Sequence, residues 1–375
     1  MPVKYRDALR AIDPYKPARS LESVKRELGL TEIIKLAGNE NNHGVSPEAA
    51  RAFAELRPSL TRYPDMNCTI LREALTARLG VNGDELIFGN GSFELISLIA
   101  QTFLEPGDET VIPWPSFGWY KLASIAVGAV PVTVPLTSHT IDLDAVLSAV
   151  TDRTRVVWLC NPNNPTGTYF TLSQLRAFLD RLPGGTLAAL DEAYIDFAHA
   201  DDFPDGASLF REYDNVISLR TFSKVYGLAS LRIGYAIAGT PVIDAINRAR
   251  QPINVNAAAQ AAAAGALSDD AYYARVVAAN ARGRELYYET LTRWSVPYIP
   301  TQGNFIMLDT GRDSAAAVLE FLKRGVMIRG GTEFGMPTWL RITIGSDAEN
   351  RKVLDILREL LGLAWLGGII QNEEY

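Results

Sequence analysis

A lysine, an aspartate and a group of hydroxyls and cations stand in this chain where chemistry is plausible. Lys224 lies in TFSKVYGLASLRIGY, just after the strand-like run NVISLR. A cofactor carrying a carbonyl needs an amine of lowered pKa in a sheltered place. Taken alone, Lys224 reads as a solvated surface lysine, but Arg232 follows in the same run. Thr221, Ser223 and Arg232 supply two hydroxyls and a guanidinium, the groups that bind phosphate oxygens.

Asp191 ends the apolar run TLAALD. That places a carboxylate at the C-terminal edge of a sheet, where open α/β folds bind ligands. A buried carboxylate needs a partner, and a protonated pyridine nitrogen would serve and keep the ring an electron sink. A strand-end acid capping the next segment fits Asp191 alone equally well. Tyr194 can hydrogen-bond a phenolic oxygen on the same ring, and so can Asn164 in NPNNPTG. The latter run also reads as a Pro/Gly turn before a helix. In GNGSFEL, Gly91 and Ser92 open a helix and present N–H groups to a phosphate. Phe117, in PWPSFGWY, is placed either to stack on a planar ring or to fill the core.

These residues need a scaffold, and the periodicity describes one. ETVIPW, AVPVTVP, RTRVVWLC, TLAALDEAY, NVISLRTFS and RIGYAIA read as strands. Helices fall between them: FELISLIAQTFL, and Thr171–Leu182 with a Thr171/Gln174 capping box. Alternating strands and helices predict a mostly parallel sheet covered on both faces. Past Pro241 long helices run to Trp294, followed by NFIMLD, SAAAVLEFLKRG, LRITIG and a helix capped by Ser346/Glu349. The expected organisation is an arm at 1–30 packing with the smaller domain, a large domain at 31–245, a smaller α/β domain at 246–362, and a tail at 363–375.

Composition bounds the function. Of 375 residues, 47% are hydrophobic and 21% charged, which supports a buried core. A net charge of −7 without a long basic run argues against nucleic-acid binding. Two distant cysteines and no long apolar run point to a reducing cytoplasm and no membrane span. His43, His139 and His199 lack metal-ligand spacing, so no metal is expected.

Together the runs PYKPARSLESVKRELG, KLAGNEN, RYPD, GNGSFEL, PSFGWY, NPNNPTG, DEAYIDF, SK…GLASLRIGY, GNFIML and LRITIG stand in order over nearly the whole chain. In them the chain resembles the fold-type I aminotransferases that use pyridoxal 5'-phosphate (PLP), most closely the histidinol-phosphate aminotransferase family. The resemblance implies a large domain with a mostly parallel seven-stranded sheet and a smaller C-terminal α/β domain. It implies that Lys224 carries PLP as a Schiff base, Asp191 pairs with the ring nitrogen, and Asn164 and Tyr194 bind the ring oxygen. Gly91, Ser92, Ser223 and Arg232, with Thr221, would bind the phosphate, and Phe117 would stack on the ring. Tyr63 would reach the phosphate of a neighbouring subunit's cofactor, which implies a homodimer with shared sites. Arg341 would hold the substrate's carboxylate or phosphate, with Arg329 and Tyr15 near its distal end.

Some positions depart from the family pattern. Phe93 replaces the usual Asp in the glycine turn, where backbone donors can still hold phosphate. NENNHG stands where NENPxG is usual, which puts the altered Asn42 and His43 at the expected substrate entrance, beside Asn39, a further expected substrate contact. The implied reaction moves an amino group from a small amino donor, histidinol phosphate or a related amino acid, to a 2-oxo acid, 2-oxoglutarate. Other PLP reactions (decarboxylation, cyclisation or oxidation) and an aromatic amino-acid donor stay open, since a fold does not fix the bond broken.

Overall fold

The computed structural model describes residues 3–14, 21–56 and 61–363. Its strands are β1 (Ile34–Lys35), β2 (Leu86–Gly89), β3 (Glu109–Trp114), β4 (Val130–Pro135), β5 (Thr154–Cys160), β6 (Leu187–Asp191) and β7 (Val216–Thr221). They continue with β8 (Gly234–Ala238), β9 (Tyr298–Ile299), β10 (Phe305–Asp309), β11 (Val326–Met327), β12 (Arg329–Gly330) and β13 (Trp339–Thr343). A seven-stranded sheet has the order β2-β8-β7-β6-β5-β3-β4. β4, β3, β5, β6 and β7 run parallel, and β8 runs against both of its neighbours.

The central strands are apolar along their whole length because both faces are covered. Val157, Leu159, Ala188, Leu190 and Val216 join one core; Val156, Trp158, Cys160, Leu187, Ala189, Ile217 and Leu219 join the other. The helices Ser92–Phe103 and Trp119–Val127 contribute Leu95, Ile96, Ile99, Tyr120 and Ala123 to the second core. The expected capping boxes close at Thr171/Gln174 and Ser346/Glu349, and Ser46 accepts from the Ala49 amide at the start of the helix Pro47–Glu55.

A four-stranded sheet of order β12-β13-β10-β9 packs with the helices Asp270–Trp294, Ser314–Lys323 and Asp347–Leu361 around a separate core. The two cores draw on segments from both halves of the chain. β1 pairs with β11, and Leu36 lies in this C-terminal core. Ala259, Ala262, Ala263 and Val276, by contrast, pack with the large sheet. The 3-10 turn Asp7–Ala11 lies against the helix Trp119–Val127. Among the described residues no helix is long and apolar enough to cross a membrane.

Candidate active site

Strand parity builds the site. Cys160, Asp191 and Thr221 end parallel strands on the face that carries Trp158, Ala189 and Leu219. Cys160 stands opposite Asp191 in register, Thr221 opposite Gly234, and Gly234 opposite Gly89. One edge of the sheet therefore collects the turn after β2, the loop after β5, the segment after β6 and the connection between β7 and β8. β8 must start at this edge because it runs backward, and that brings Arg232 beside Gly91.

The cavity there has a volume of about 280 Å³ and is lined by Gly38, Glu40, Ser92, Phe93, Phe117, Cys160, Asn164, Asp191, Tyr194, Thr221, Ser223, Lys224 and Arg232, among others. A larger hollow of about 400 Å³, bordered by Thr137, Asp142 and Gln174, holds no comparable set of amine, carboxylate and cation. Among the described residues no cluster of His, Cys, Asp and Glu is placed to hold a metal ion.

Lys224 Nζ donates to the carbonyls of Gly38 and Asn39 at 3.3 and 3.1 Å and lies 5.2 Å from the centre of the Tyr194 ring. Burial and the Arg341 guanidinium lower its pKa to about 8, against the pull of Glu40 and Asp191. Asp191 is 4% exposed. Its Oδ2 accepts from the Tyr120 hydroxyl at 2.6 Å and its Oδ1 from the Ala193 amide at 3.2 Å. Burial raises its pKa, while the Tyr120 hydroxyl, the Ala193 amide and Lys224 oppose the rise.

The turn at Gly91 meets Arg232, Ser223 and Thr221 in one cluster. Gly91 precedes the helix Ser92–Phe103 at φ 78 and ψ 166, a region essentially reserved for glycine. A Cβ there would fall 2.2 Å from Arg232 Nη2. Arg232 Nη1 donates to the Ala229 carbonyl at 2.9 Å and reaches Ser223 Oγ at 3.4 Å. The Thr221 hydroxyl donates to Ser223 Oγ at 3.0 Å. Phe93 meets Phe117 edge-on at 5.0 Å.

At the other end Asn39 Nδ2 donates to the Tyr194 hydroxyl at 3.0 Å, and burial pushes the Tyr194 phenol up to about 12. Arg341 is 4% exposed. It donates to Asn164 Oδ1 at 2.5 Å and to the Ala37 carbonyl at 2.8 Å, and its buried Nε has no partner. Burial lowers its pKa to about 10, so it stays a cation at neutral pH. Arg329 stands opposite Arg341 in register, and both guanidiniums lie over Phe334, at 5.9 and 5.7 Å. Glu333 holds Arg329 through two hydrogen bonds.

Two expected entrance residues are turned elsewhere. Asn42 donates to Glu349 at 3.0 Å. His43 borders a separate small cavity with Phe197, Asn280 and Asn304, and burial lowers its pKa. Tyr63 is 88% exposed and lies outside this chain's cavity lining. Tyr15 lies outside the described residues. Sequence reasoning missed Tyr120, Cys160 and Glu40. For Tyr120 a faint signal existed, since it follows PSFGW directly at the start of a helix.

A buried amine of lowered pKa, a buried carboxylate and a cluster of hydroxyls and a guanidinium gather at one sheet edge, the arrangement of the fold-type I class. Residues 31–357 match the model of the family "Aminotransferase class I and II", and the chain belongs to that family. It is 45% identical over 353 residues to a histidinol-phosphate aminotransferase of Geobacillus sp. (strain WCH70), covering 94% of this chain and 97% of that protein. It is 44% identical over 359 residues to that of Moorella thermoacetica, covering 96% and 93%. The crystal structure of histidinol-phosphate aminotransferase from Sinorhizobium meliloti in complex with pyridoxal-5'-phosphate superposes with a TM-score of 0.87 at 28% identity, covering 95% of this chain and 98% of that one.

Proposed function

We propose that this aminotransferase uses PLP held by Lys224 and takes histidinol phosphate as amino donor and 2-oxoglutarate as acceptor. The donor set fits PLP: Gly91, having no Cβ, lets the Arg232 guanidinium approach the N-terminus of the helix Ser92–Phe103, so that both can face one phosphate. Ser92, Ser223, Thr221, Arg232 and the amides of Ser92 and Phe93 that follow Gly91 would hold that phosphate. Asp191 would hold the ring nitrogen, Asn164 and Tyr194 the ring oxygen, and Phe117 the ring face. When bound, PLP supplies an aldehyde carbon and an electron-withdrawing pyridinium ring.

The protein's own groups then have distinct tasks. Neutral Lys224 Nζ takes the proton from the donor's α-carbon as general base. The carbonyls of Gly38 and Asn39 stabilise the ammonium so formed. Asp191, short of water, keeps a charge opposite the ring nitrogen. Asn39 holds the Tyr194 hydroxyl so that its proton points away from Asn39.

The observation that carries the donor assignment is the pair Arg329 and Arg341, opposite each other in register over one phenylalanine ring. Histidinol phosphate has no carboxylate, so its phosphate is the anion these cations would hold. A phosphate carries about −1.5 to −2 charges at neutral pH and competes with Glu333 for Arg329 better than one carboxylate does. The acceptor's carboxylate would use the same Arg341. Tyr63, exposed here, would serve the phosphate site of a second copy, which makes the active species a homodimer. Steady-state kinetics with histidinol phosphate, phenylalanine, tyrosine and arginine, each with 2-oxoglutarate, tests the assignment. Turnover of an amino acid but not of histidinol phosphate would overturn it.

A further inference from the structure

We infer that Tyr120 is a positioning residue for Asp191, holding that carboxylate ionised and aimed at the ring nitrogen of bound PLP. The inference rests on the PLP reading above. Tyr120 is fully buried. Its ring stacks on Trp158 at 5.1 Å with an interplanar angle of 7°, and meets Phe117 edge-on at 5.5 Å. Trp158 lies on the same face of β5 as Cys160, so the stack fixes the phenol beside the end of β6.

The hydroxyl has one proton to give, and Asp191 Oδ2 takes it at 2.6 Å. An ionised carboxylate is purely an acceptor, so a fixed donor favours the charged form. Burial works the other way. Four titratable groups face Asp191: Tyr120, Lys224, Cys160 and Tyr194. Lys224 loses its charge near pH 8 and is the group engaged by the cofactor. The Cys160 thiol and Tyr194 phenol are both pushed up to about 12 and stay neutral at working pH. Tyr120 is thus the side-chain donor whose support for the Asp191 charge is constant through the working range.

The test is PLP binding to apoprotein measured by absorbance from acid to mildly alkaline pH, in the parent and in Tyr120→Phe. The substitution keeps the ring and its stack and removes one oxygen. The dissociation constant at neutral pH should rise about tenfold or more, the range for a hydrogen bond to a charged group. Affinity falls in acid as Asp191 protonates, and that limb should move to higher pH in Tyr120→Phe. PLP's own titrations are common to both proteins. In an Asp191→Asn background the same substitution should change affinity by less than about twofold, since the two act as a unit. An unmoved acid limb, or an equal loss in both backgrounds, would show that Tyr120 only fills space and would overturn the inference. A parent protein that takes up no PLP at Lys224 would instead overturn the functional reading beneath it. Circular dichroism of each apoprotein confirms that the fold is kept.

Discussion

Replacing Gly91 with alanine tests the anion cradle at its tightest point. Gly91 has φ 78 and ψ 166, and a backbone of that kind costs a residue with a side chain about 1–3 kcal/mol. The new Cβ would also lie 2.2 Å from Arg232 Nη2 and 2.9 Å from the guanidinium carbon. The guanidinium is the end of a flexible side chain, so it moves while the helix N-terminus stays. Movement pulls Arg232 away from Ser223 and from the phosphate position. A hydrogen bond to a charged group contributes about 1.5–3 kcal/mol, so PLP affinity should fall roughly ten- to a hundredfold. The assay is PLP titration of apoprotein, with thermal unfolding of the same samples to read the backbone cost separately. Arg232→Ala should produce a similar loss, and the double variant should be little worse than Arg232→Ala, because both act through one guanidinium. Affinity within about threefold of the parent in a folded Gly91→Ala protein would refute the reasoning.

Borohydride treatment of the yellow holoprotein should fix the cofactor to the peptide containing Lys224, as mass spectrometry of a digest would show; labelling at another lysine would end the assignment. PLP capture by apoprotein needs the neutral amine, so its rate should rise with pH and level off above about 8, where the Lys224 pKa lies. Stopped-flow absorbance should place that midpoint higher in Arg341→Gln, because a neighbouring positive charge has been removed. Asp191→Asn should lower turnover by about 10²–10³-fold, the range for lost electrostatic stabilisation, read as steady-state kcat at saturating PLP. Mixing Lys224→Ala with Tyr63→Phe protein should restore activity in mixed dimers, and a fully active monomer in solution scattering would exclude shared sites.

Much of the site was legible because parity and strand ends are local. An apolar run ending in Asp191 fixes the side of the sheet on which that carboxylate lies, and Thr221 follows the same rule in the next strand. The reversal of β8 explains why Arg232 sits so near Lys224 in sequence yet across from Gly91 in space. β2 escaped the sequence reading because LIFG is too short to show a period. Tyr120 escaped for a different reason: its partner lies 71 residues away and is met through helix packing on the sheet. Asn42 and His43 were expected at the entrance from the place of NENNHG in the family pattern. Asn39 adopts φ 53, and in the chain beyond it Asn41 is engaged by Val225 and Tyr272 and Asn42 by Glu349. The packing of β1 and Leu36 with the C-terminal core was invisible because a two-residue strand takes its direction from its partner.

The site mixes two ranges of sequence separation. Thr221, Ser223, Lys224 and Arg232 come from one short stretch between adjacent strands, with Asp191 on the strand beside it. The contacts that close the opposite end are remote: Asn39 to Tyr194 spans 155 residues, and Arg341 to Asn164 spans 177. Loop closure weighs most on contacts of the second kind. Partial unfolding that frees the C-terminal core would take Arg341, Arg329 and the carbonyls of Gly38 and Asn39 with it, and would leave the attachment stretch paired within the large sheet. Colour and turnover would then part company along a denaturant gradient, the protein ceasing to recognise its donor before it lets go of its cofactor.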